Sequence, residues 1–476
     1  MGRWPVLPGD DLRALAGALL VLFAAAGCAA SRLVDKSPLP RDEARIHLYL
    51  LPLPPDAARL EVLLEGASAV REDGSLIPLQ LAFNRLRAGD PDRERRLASG
   101  PAPPGRYAGL ELRIGSAALT GEGGGALGTD AAVTVPFLFT VQEKQPVVIS
   151  LRLDHAGSMT EGMRFQPSFV AEAPPRPPSG LIALASARGS DELAIFDKVS
   201  GRIAGIVPTG RRPGGLALDS ARRRAYVAVT GEDRIEAIGL LEQAVLARLN
   251  LRVGDEPVEV ALTPDGQTLV TANAGSSSAS IVDALALVER ARVSVGNEPG
   301  SVLLDRAGRR AYLFNTGSSS ITVIDVAARA VVATLGTEAG PLRGQLDRDG
   351  RRLYVIHRAS PYLTIFDTNT LAAVARTYVG PGATALKVDP KTDRIYLARR
   401  KTGILEIFDP ASLLPTDSIP VDGEISFVTI DDEGNALVLT LPGSGEARRI
   451  GIAGKTAAAR TDVGADPRYA ALVGER

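Results

Sequence analysis

Residues 311–325, AYLFNTGSSSITVID, contain the pattern that decides the fold of this 476-residue chain. An apolar run of strand-forming residues is followed by a Gly/Ser-rich turn and then by a second apolar run that ends in Asp325. The pattern returns at residues 353–367 as LYVIHRASPYLTIFD. Two columns keep the same constant step along the chain, namely Tyr312, Tyr354 and Tyr396, and Asp283, Asp325, Asp367 and Asp409. Self-similarity at a fixed period of this length indicates a repeat architecture.

Each repeat begins at a position that is usually proline and that precedes a short apolar strand. These positions are Pro213, Pro257, Pro299, Pro341, Ala383, Ile425 and Pro467, and they are evenly spaced except that the first interval is slightly longer than the others. Every repeat encodes four short strands separated by Asp/Gly and Gly/Ser turns, which is the content of one propeller blade.

The two ends of the repeat region complement each other. Three unpaired strands, residues 181–187, 192–198 and 202–210, precede six complete repeats, and one strand, residues 468–473, follows them. Joining the last strand to the first three makes a seventh blade and removes an open sheet edge. The sequence therefore predicts a seven-bladed β-propeller over residues 180–476 that is closed by strand 468–473.

Three runs carry a family resemblance: AYVAV at residues 225–229, and the stretches 311–325 and 353–367 quoted above. They resemble the YVTN family of bacterial surface-layer and YncE-like propellers over nearly all of residues 180–476. Two repeats depart from the pattern, since EAIGL at 236–240 and RRIGIA at 448–453 lack the aspartate. The resemblance implies a propeller, and relatives of this kind include lactonases and the non-haem subunit of amine dehydrogenases.

Residues 1–28 are interpreted as a targeting signal rather than as part of the fold. The apolar run at 14–27, ALAGALLVLFAAAG, is shorter than the roughly 20 residues that span a bilayer as a helix. It ends at Cys28, and this ending resembles the lipobox of bacterial lipoproteins, which implies a lipid anchor on Cys28 and a tether at 29–44. Ala29 in place of aspartate suggests, by the same resemblance, the outer membrane. Plain secretion with cleavage after Ala-x-Ala is the alternative.

Residues 45–172 alternate apolar and polar residues in short runs, as in Leu110, Leu112 and Ile114 around Glu111 and Arg113. This period predicts an all-β region, an antiparallel β-sandwich. The stretch PPGRY at 103–107 and the later MRFQPSFV at 163–170 resemble a bacterial domain family of unknown function with a prealbumin-like sandwich. A proline-rich linker at 173–179 separates this domain from the repeats.

The composition narrows the range of functions. Lys and Arg total 54 against 55 Asp and Glu, so no basic excess points to nucleic acid. One cysteine and three histidines leave no disulfide within the chain and no His/Cys metal site to predict. No nucleotide, haem or nucleophile motif is found. We therefore predict no metal, no cofactor and no catalytic residue.

The candidate site lies at the mouth of the propeller. In each blade, the turn before the first strand and the turn between the second and third strands are expected on one face. Their charged residues are Arg211, Arg212, Glu256, Glu298, His357, Arg358, Arg399 and Arg400. Guanidinium groups match carboxylates and phosphates, which favours an acidic protein loop or a small anionic ligand. The plainer interpretation is that solvated turns need polar residues, and that His357 caps a turn.

These observations favour a monomeric, lipid-anchored binding or scaffold module of the cell envelope. Two alternatives stay open: a propeller enzyme of the lactonase or dehydrogenase-subunit type, using His357, Arg358, Arg399 and Glu298, and a structural surface-layer-like protein.

Overall fold

The computed structural model describes residues 44–87, 93–160 and 164–474, and it is built almost entirely of β-strands. The expectations for the signal peptide, Cys28 and nearly all of the tether lie outside these residues. Within them, helical structure is confined to α1 (His155–Ser158) and three single turns of 3₁₀ helix at Pro55–Ala57, Ser179–Leu181 and Thr230–Glu232. None of these helices has the length and apolar character needed to cross a membrane. The predicted all-β class is confirmed.

Twelve strands form the N-terminal region, which is rich in sheet as predicted. They are β1 (Arg45–Leu50), β2 (Leu60–Arg71), β3 (Leu76–Leu81), β4 (Arg85–Arg87), β5 (Arg95–Pro101), β6 (Gly105–Leu119), β7 (Gly125–Thr129), β8 (Ala132–Val141), β9 (Val147–Leu153), β10 (Met159–Thr160), β11 (Arg164–Phe165) and β12 (Phe169–Glu172). Their order is β10-β11-β7-β6-β2-β3-β5-β1-β9-β12, with β4 on β2 and β8 on β6.

Most neighbours in this region are antiparallel, but β1 and β9, and β7 and β11, run parallel. A parallel pair needs a long connection, and here the β2–β8 segment supplies the one between β1 and β9. The alternation of apolar and polar residues does not predict whether two strands pair parallel or antiparallel, because both kinds of pair can show the same alternation.

Seven four-stranded antiparallel sheets follow, and we number these blades from the first complete repeat. Blade 1 is β16 (Pro213–Asp219), β17 (Arg224–Val229), β18 (Arg234–Gly239) and β19 (Ala244–Asn250); blade 2 is β20 (Pro257–Leu262), β21 (Thr268–Asn273), β22 (Ser278–Asp283) and β23 (Val288–Ser294); blade 3 is β24 (Pro299–Leu304), β25 (Arg310–Asn315), β26 (Ser320–Asp325) and β27 (Ala330–Gly336); blade 4 is β28 (Pro341–Leu346), β29 (Arg352–His357), β30 (Tyr362–Asp367) and β31 (Ala373–Tyr378).

The remaining blades complete the ring. Blade 5 is β32 (Ala383–Val388), β33 (Ile395–Arg399), β34 (Ile404–Phe408) and β35 (Pro415–Pro420); blade 6 is β36 (Phe427–Asp431), β37 (Ala436–Leu441), β38 (Glu446–Gly451) and β39 (Ala457–Asp462); blade 7 is β13 (Ile182–Ala187), β14 (Glu192–Asp197), β15 (Ile203–Pro208) and β40 (Pro467–Leu472). The predicted seven-bladed propeller is confirmed.

Position within the blade explains the apolar pattern of each strand. Second strands such as β25 are buried along almost their whole length, because neighbouring blades cover both of their faces. Fourth strands such as β27 lie at the rim and are largely exposed. The first strands of successive blades contact one another around the ring and enclose its central channel.

Blade 7 is assembled from both ends of the repeat region. Strand β40 pairs antiparallel with β13, placing Tyr469 opposite Ser186 and Leu472 opposite Ala183. Behind this pair, the buried ammonium of Lys198 donates to Asp431 Oδ1 of blade 6 at 2.8 Å and to the carbonyl of Val473 at 2.9 Å. A buried charge pair therefore fastens the strand that closes the ring.

The N-terminal region contacts the propeller at blades 6 and 7. The Arg96 guanidinium donates to Glu192 of blade 7 at 2.7 Å and to the Tyr49 hydroxyl at 3.0 Å. The Arg96 backbone N–H donates to the Asp462 carboxylate of blade 6 at 3.1 Å. The Tyr49 ring lies in a core cluster with propeller side chains such as Phe196. One arginine thus connects the N-terminal region to both blades.

Neighbouring residues repeat this double attachment. Glu94 accepts hydrogen bonds from Ser150 Oγ at 2.6 Å, within the N-terminal region, and from the Ile203 backbone of blade 7 at 2.9 Å. Arg93 forms an ion pair with Glu446 of blade 6. From Ala44 onward the chain forms one compact unit.

Candidate functional site

Backbone hydrogen bonds join the two turns of each blade at the mouth. The residue after the second strand donates its N–H to the carbonyl of the residue before the first strand. These bonds are Thr230 to Arg212, Ala274 to Glu256, Thr316 to Glu298, Arg358 to Gly340, Arg400 to Gly382, and Arg188 to Asp466, at 2.7–3.2 Å. In blade 6 the donor position is Pro442, which has no N–H. The structure therefore brings the predicted turn residues onto one face.

Charge on this mouth face changes sign between sectors, each made of two adjacent blades. Blades 2 and 3 present the exposed carboxylates of Glu256 and Glu298. Blades 4 and 5 present the exposed guanidiniums of Arg358 and Arg400. A second basic sector lies at blades 7 and 1, and it consists of Arg188, Arg211 and Arg212. A partner with fixed charges can be oriented by such a surface.

The mouth arginines of blades 4 and 5, Arg358 and Arg400, form no short ion pair with a described residue. Arg358 forms no ion pair with any residue that the structure describes. Arg400, with a side chain 62% exposed, lies 3.6 Å from Glu424. Opposite these two residues are Gly340 and Gly382, whose φ values of 68° and 80° favour glycine. Because glycine has no side chain, none projects from these two positions, where a Cβ would lie 3.4 Å from Arg358 Cβ and 3.5 Å from Arg400 Cβ.

His357 and Arg399 occupy a different place from their neighbours Arg358 and Arg400. Both lie at the last position of a second strand, a column that also holds Asn273 and Asn315. The asparagine amides of this column donate to hydroxyls of the third strand, Ser280 and Thr322, at 2.9 Å. Arg399 follows the same rule, with a bidentate pair to Glu406 at 2.7 and 2.9 Å. The column holds second and third strands together.

The His357 ring is enclosed within blade 4. Its exposed fraction is 0%, and its nitrogens contact the Thr337 hydroxyl at 2.8 Å and the Tyr362 carbonyl at 3.0 Å. Burial lowers the pKa of His357 below the usual histidine range. The structure thus removes His357 from the solvent-facing set named from the sequence, because the ring lies on the blade side of the turn.

The aspartates of the repeated column form turns after the third strands. In Asp367, for example, Oδ1 accepts the N–H groups of Asn369 at 2.9 Å and Thr370 at 2.8 Å. Asp283 and Asp409 accept the equivalent pairs of N–H groups. These carboxylates therefore stabilise tight turns.

A charged cluster in the channel was missed from the sequence. The third position of each repeat lies in the first strand of its blade, and these positions form a column around the axis: Gly215, Glu259, Ser301, Arg343, Ala385, Phe427 and Tyr469. Glu259 accepts from Arg343 at 3.2 Å and from the Val302 backbone at 3.2 Å. The Arg343 guanidinium lies 4.8 Å from the Phe427 ring centre and 5.0 Å from that of Tyr469. We name Glu259, Arg343, Phe427 and Tyr469 the channel cluster.

Burial dominates the electrostatics of the channel cluster. It raises the pKa of Glu259, against the lowering effect of Arg343, and it raises the pKa of Tyr469 to about 12. Glycine at position 215 makes room for the carboxylate chain, because a Cβ there would lie 2.5 Å from Glu259 Cγ. The signal that could have found this cluster is the constant repeat step, applied to strand interiors as well as to turns.

Within the described part of the chain, no group of three or more His, Cys, Asp or Glu side chains is arranged to hold a metal ion.

Comparison with known proteins supports the fold. The family model of YncE-like beta-propellers matches residues 191–389, and no curated protein matches the chain. Hydrazine synthase from Kuenenia stuttgartiensis is similar at 18% identity and a TM-score of 0.53, covering 58% of this chain and 93% of that one. A protein from Lactobacillus plantarum is similar at 18% identity and a TM-score of 0.52, covering 61% and 98%.

A third similar structure is dihydro-heme d1 dehydrogenase NirN in complex with DHE, at 12% identity and a TM-score of 0.50, covering 68% of this chain and 80% of that one. At such identities the likeness concerns the fold alone. The chain is thus a seven-bladed β-propeller with an N-terminal β-rich region, and its residues 191–389 match the family of YncE-like beta-propellers.

Proposed function

We propose that this chain is a lipid-anchored binding module of the cell envelope, and that the mouth of its propeller binds an acidic segment of a partner protein. The observation that carries the proposal is the pair Arg358 and Arg400. Both follow second strands in adjacent blades, both are exposed, and both have their backbone fixed by a 2.7 Å hydrogen bond to a glycine carbonyl. A fixed backbone lowers the entropy lost when a side chain is immobilised in a complex.

The charge pattern supports an acidic partner of defined orientation. Arg358 and Arg400 attract carboxylates, while Glu256 and Glu298 on blades 2 and 3 repel them. An acidic segment would therefore lie across blades 4 and 5 and avoid the neighbouring acidic sector at blades 2 and 3. Guanidinium groups also bind carboxylates in a planar, two-point geometry, which adds specificity to the attraction.

The side chains considered for catalysis support binding over an enzymatic role. His357 is enclosed and both of its ring nitrogens have partners. Arg399 is held by Glu406. A general base must reach a substrate proton at hydrogen-bond distance, and an enclosed ring that already has two partners is poorly placed for this. His357 is therefore poorly placed to act together with Arg358 and Glu298 on the mouth face.

The envelope location rests on Cys28 and the apolar run before it. The lipid anchor, the outer membrane and the monomeric state are parts of the same proposal. Growth with labelled palmitate, followed by membrane fractionation, tests the anchor. We expect label in the full chain and none in Cys28→Ser, which should leave the membrane fraction. Equal labelling of both proteins would contradict the lipid anchor.

A direct titration tests the mouth. A fluorescent glutamate-rich peptide is added to the purified chain at low and at moderate salt. We expect saturable binding that weakens as salt rises, and at least tenfold weaker binding by R358Q/R400Q. The matched control is R309Q/R351Q, which removes two exposed arginines after the turns at the other end of the blades. Equal loss of affinity in both variants would reduce the effect to net charge and refute the proposal.

A further inference from the structure

We propose that the mouth carries a second site, between blades 7 and 1, where Arg188 and Arg212 together bind an oxyanion, namely a carboxylate or phosphate group of a small ligand. The inference builds on the proposed binding role of the mouth. It concerns a different sector from blades 4 and 5, and a different class of ligand.

Three turns that hydrogen-bond to one another hold the two arginines near each other. Arg188 and Gly189, which follow β13, donate their N–H groups to the carbonyls of Asp466 at 3.1 Å and Ala465 at 2.9 Å. The Arg212 N–H, which precedes β16, is accepted by Asp191 Oδ1 at 2.8 Å. The turn that follows β13, the turn that enters β40 and the turn that enters blade 1 thus form one fixed surface.

The carboxylates of this surface are already engaged elsewhere. Asp191 accepts from the Arg212 backbone, Asp466 lies 2.8 Å from Arg468 Nε, and Glu192 is held by Arg96. Among the residues that the structure describes, no carboxylate forms an ion pair with the guanidinium of Arg188 or of Arg212. The charge of Asp466 partly offsets the lowering of the Arg188 pKa, but among the described residues neither guanidinium is paired directly with a carboxylate.

The environment of Arg188 destabilises its positive charge. Its side chain is partly buried, and burial together with the positive charges of Arg212 and Arg468 lowers the pKa of Arg188. A partly buried cation close to two further cations is stabilised by an anion placed between them. Two guanidinium planes on adjacent turns can each donate to one oxygen of a carboxylate or phosphate.

The proposed oxyanion site lies next to the channel cluster. Arg468 and Tyr469 are consecutive in β40, so the arginine sector borders the channel cluster. The Arg188 charge acts on the Tyr469 hydroxyl, whose pKa it lowers in part. A ligand oxyanion bound by Arg188 and Arg212 would therefore lie at the rim of the central channel. The remaining atoms of the ligand would face the solvent.

Titration calorimetry with the full chain tests the site, using inorganic phosphate and succinate in separate experiments. We expect one or both to bind with a stoichiometry of one, and R188Q/R212Q to bind at least tenfold more weakly. Arg188→Lys/Arg212→Lys keeps the charge but loses the planar fork, so its affinity should fall between wild type and the glutamine variant. Binding of phosphate alone or succinate alone assigns the ligand class.

Two control variants separate this inference from the proposed function. R309Q/R351Q should bind the oxyanion as wild type does, whereas R358Q/R400Q should lose the acidic peptide and still bind inorganic phosphate. Wild-type affinity in R188Q/R212Q, or no heat with either anion, overturns the inference even if the acidic peptide still binds. Conversely, oxyanion binding that persists where the acidic peptide fails overturns the proposed function and leaves this site intact.

Discussion

Removing Arg343 from the channel cluster is the most direct test of how the ring is stabilised. Arg343→Ala leaves the Glu259 carboxylate enclosed without its 3.2 Å partner. It also removes the contacts of the guanidinium with the rings of Phe427 and Tyr469. Breaking one partner of a buried pair costs about 3–5 kcal/mol. The propeller strands span residues 182–472, and at about 2.1 cal/mol/K per residue this loss lowers the melting temperature by about 5–8 °C.

The assay is urea and thermal unfolding of the full chain, in a double-mutant cycle with Glu259→Gln. The double variant Glu259→Gln/Arg343→Ala should recover much of the stability, because removing both charges leaves no unpaired ion. Added guanidinium chloride at low millimolar concentration should raise the melting temperature of Arg343→Ala and leave that of wild type unchanged.

The pH dependence has a definite sign. Arg343→Ala removes the charge that lowers the Glu259 pKa, so this pKa rises further and the folded variant binds a proton more readily than folded wild type does. The stability loss of Arg343→Ala should therefore be smaller in mildly acidic than in mildly alkaline buffer. A loss below about 1 kcal/mol in both buffers, or a double variant as unstable as the single one, would refute the reasoning.

Further outcomes follow from other contacts. Deleting residues 467–476 removes β40 and should lower the melting temperature of the whole propeller, and calorimetry that shows an unchanged melt would contradict closure by this strand. Lys198→Met leaves the buried Asp431 carboxylate with only the longer 3.6 Å ion pair to Arg449 and should cost up to about 3 kcal/mol in urea unfolding. Gly215→Ala places a Cβ 2.5 Å from Glu259 Cγ and should cost about 1–3 kcal/mol by the same measurement. Burial holds the pKa of His47 well below 6.5, so unfolding free energy should fall by up to about 1.4 kcal/mol per pH unit below that value, and His47→Leu should flatten this slope.

The ring was predictable because repeat spacing is a property of the backbone. The constant step between repeats fixes the number of blades, and the unequal strand counts at the two ends imply how the ring closes. The same spacing placed Arg358 and Arg400 at the mouth, where the structure has them. The fold class and the face of the candidate site therefore followed from pattern alone.

The repeat pattern did not predict which individual side chains are enclosed, exposed or paired. His357 and Arg358 are consecutive polar residues in the sequence, yet the first is enclosed and the second is exposed. One position separates the end of a strand from the beginning of its turn, and periodicity does not resolve that step. The pair of Glu259 and Arg343 joins first strands two blades apart, a contact that depends on the width of the channel.

The sequence pattern also did not predict that the N-terminal region contacts the propeller. The run Pro-Pro-Arg-Pro-Pro at 174–178 indicated a spacer between the two parts. Arg93, Glu94 and Arg96, however, all have partners in the propeller. Contacts between surfaces depend on complementary placement of single charges, which leaves no period in the sequence.

The double attachment of Arg96 has a consequence for the order of assembly. The ribosome makes the N-terminal region first, and Glu192 and Ile203 soon afterwards. The other half of the docking surface, at Glu446 and Asp462, lies in blade 6 and is translated only after blades 1 to 5. The N-terminal region therefore has to wait through the synthesis of these blades before its contacts with blade 6 can form.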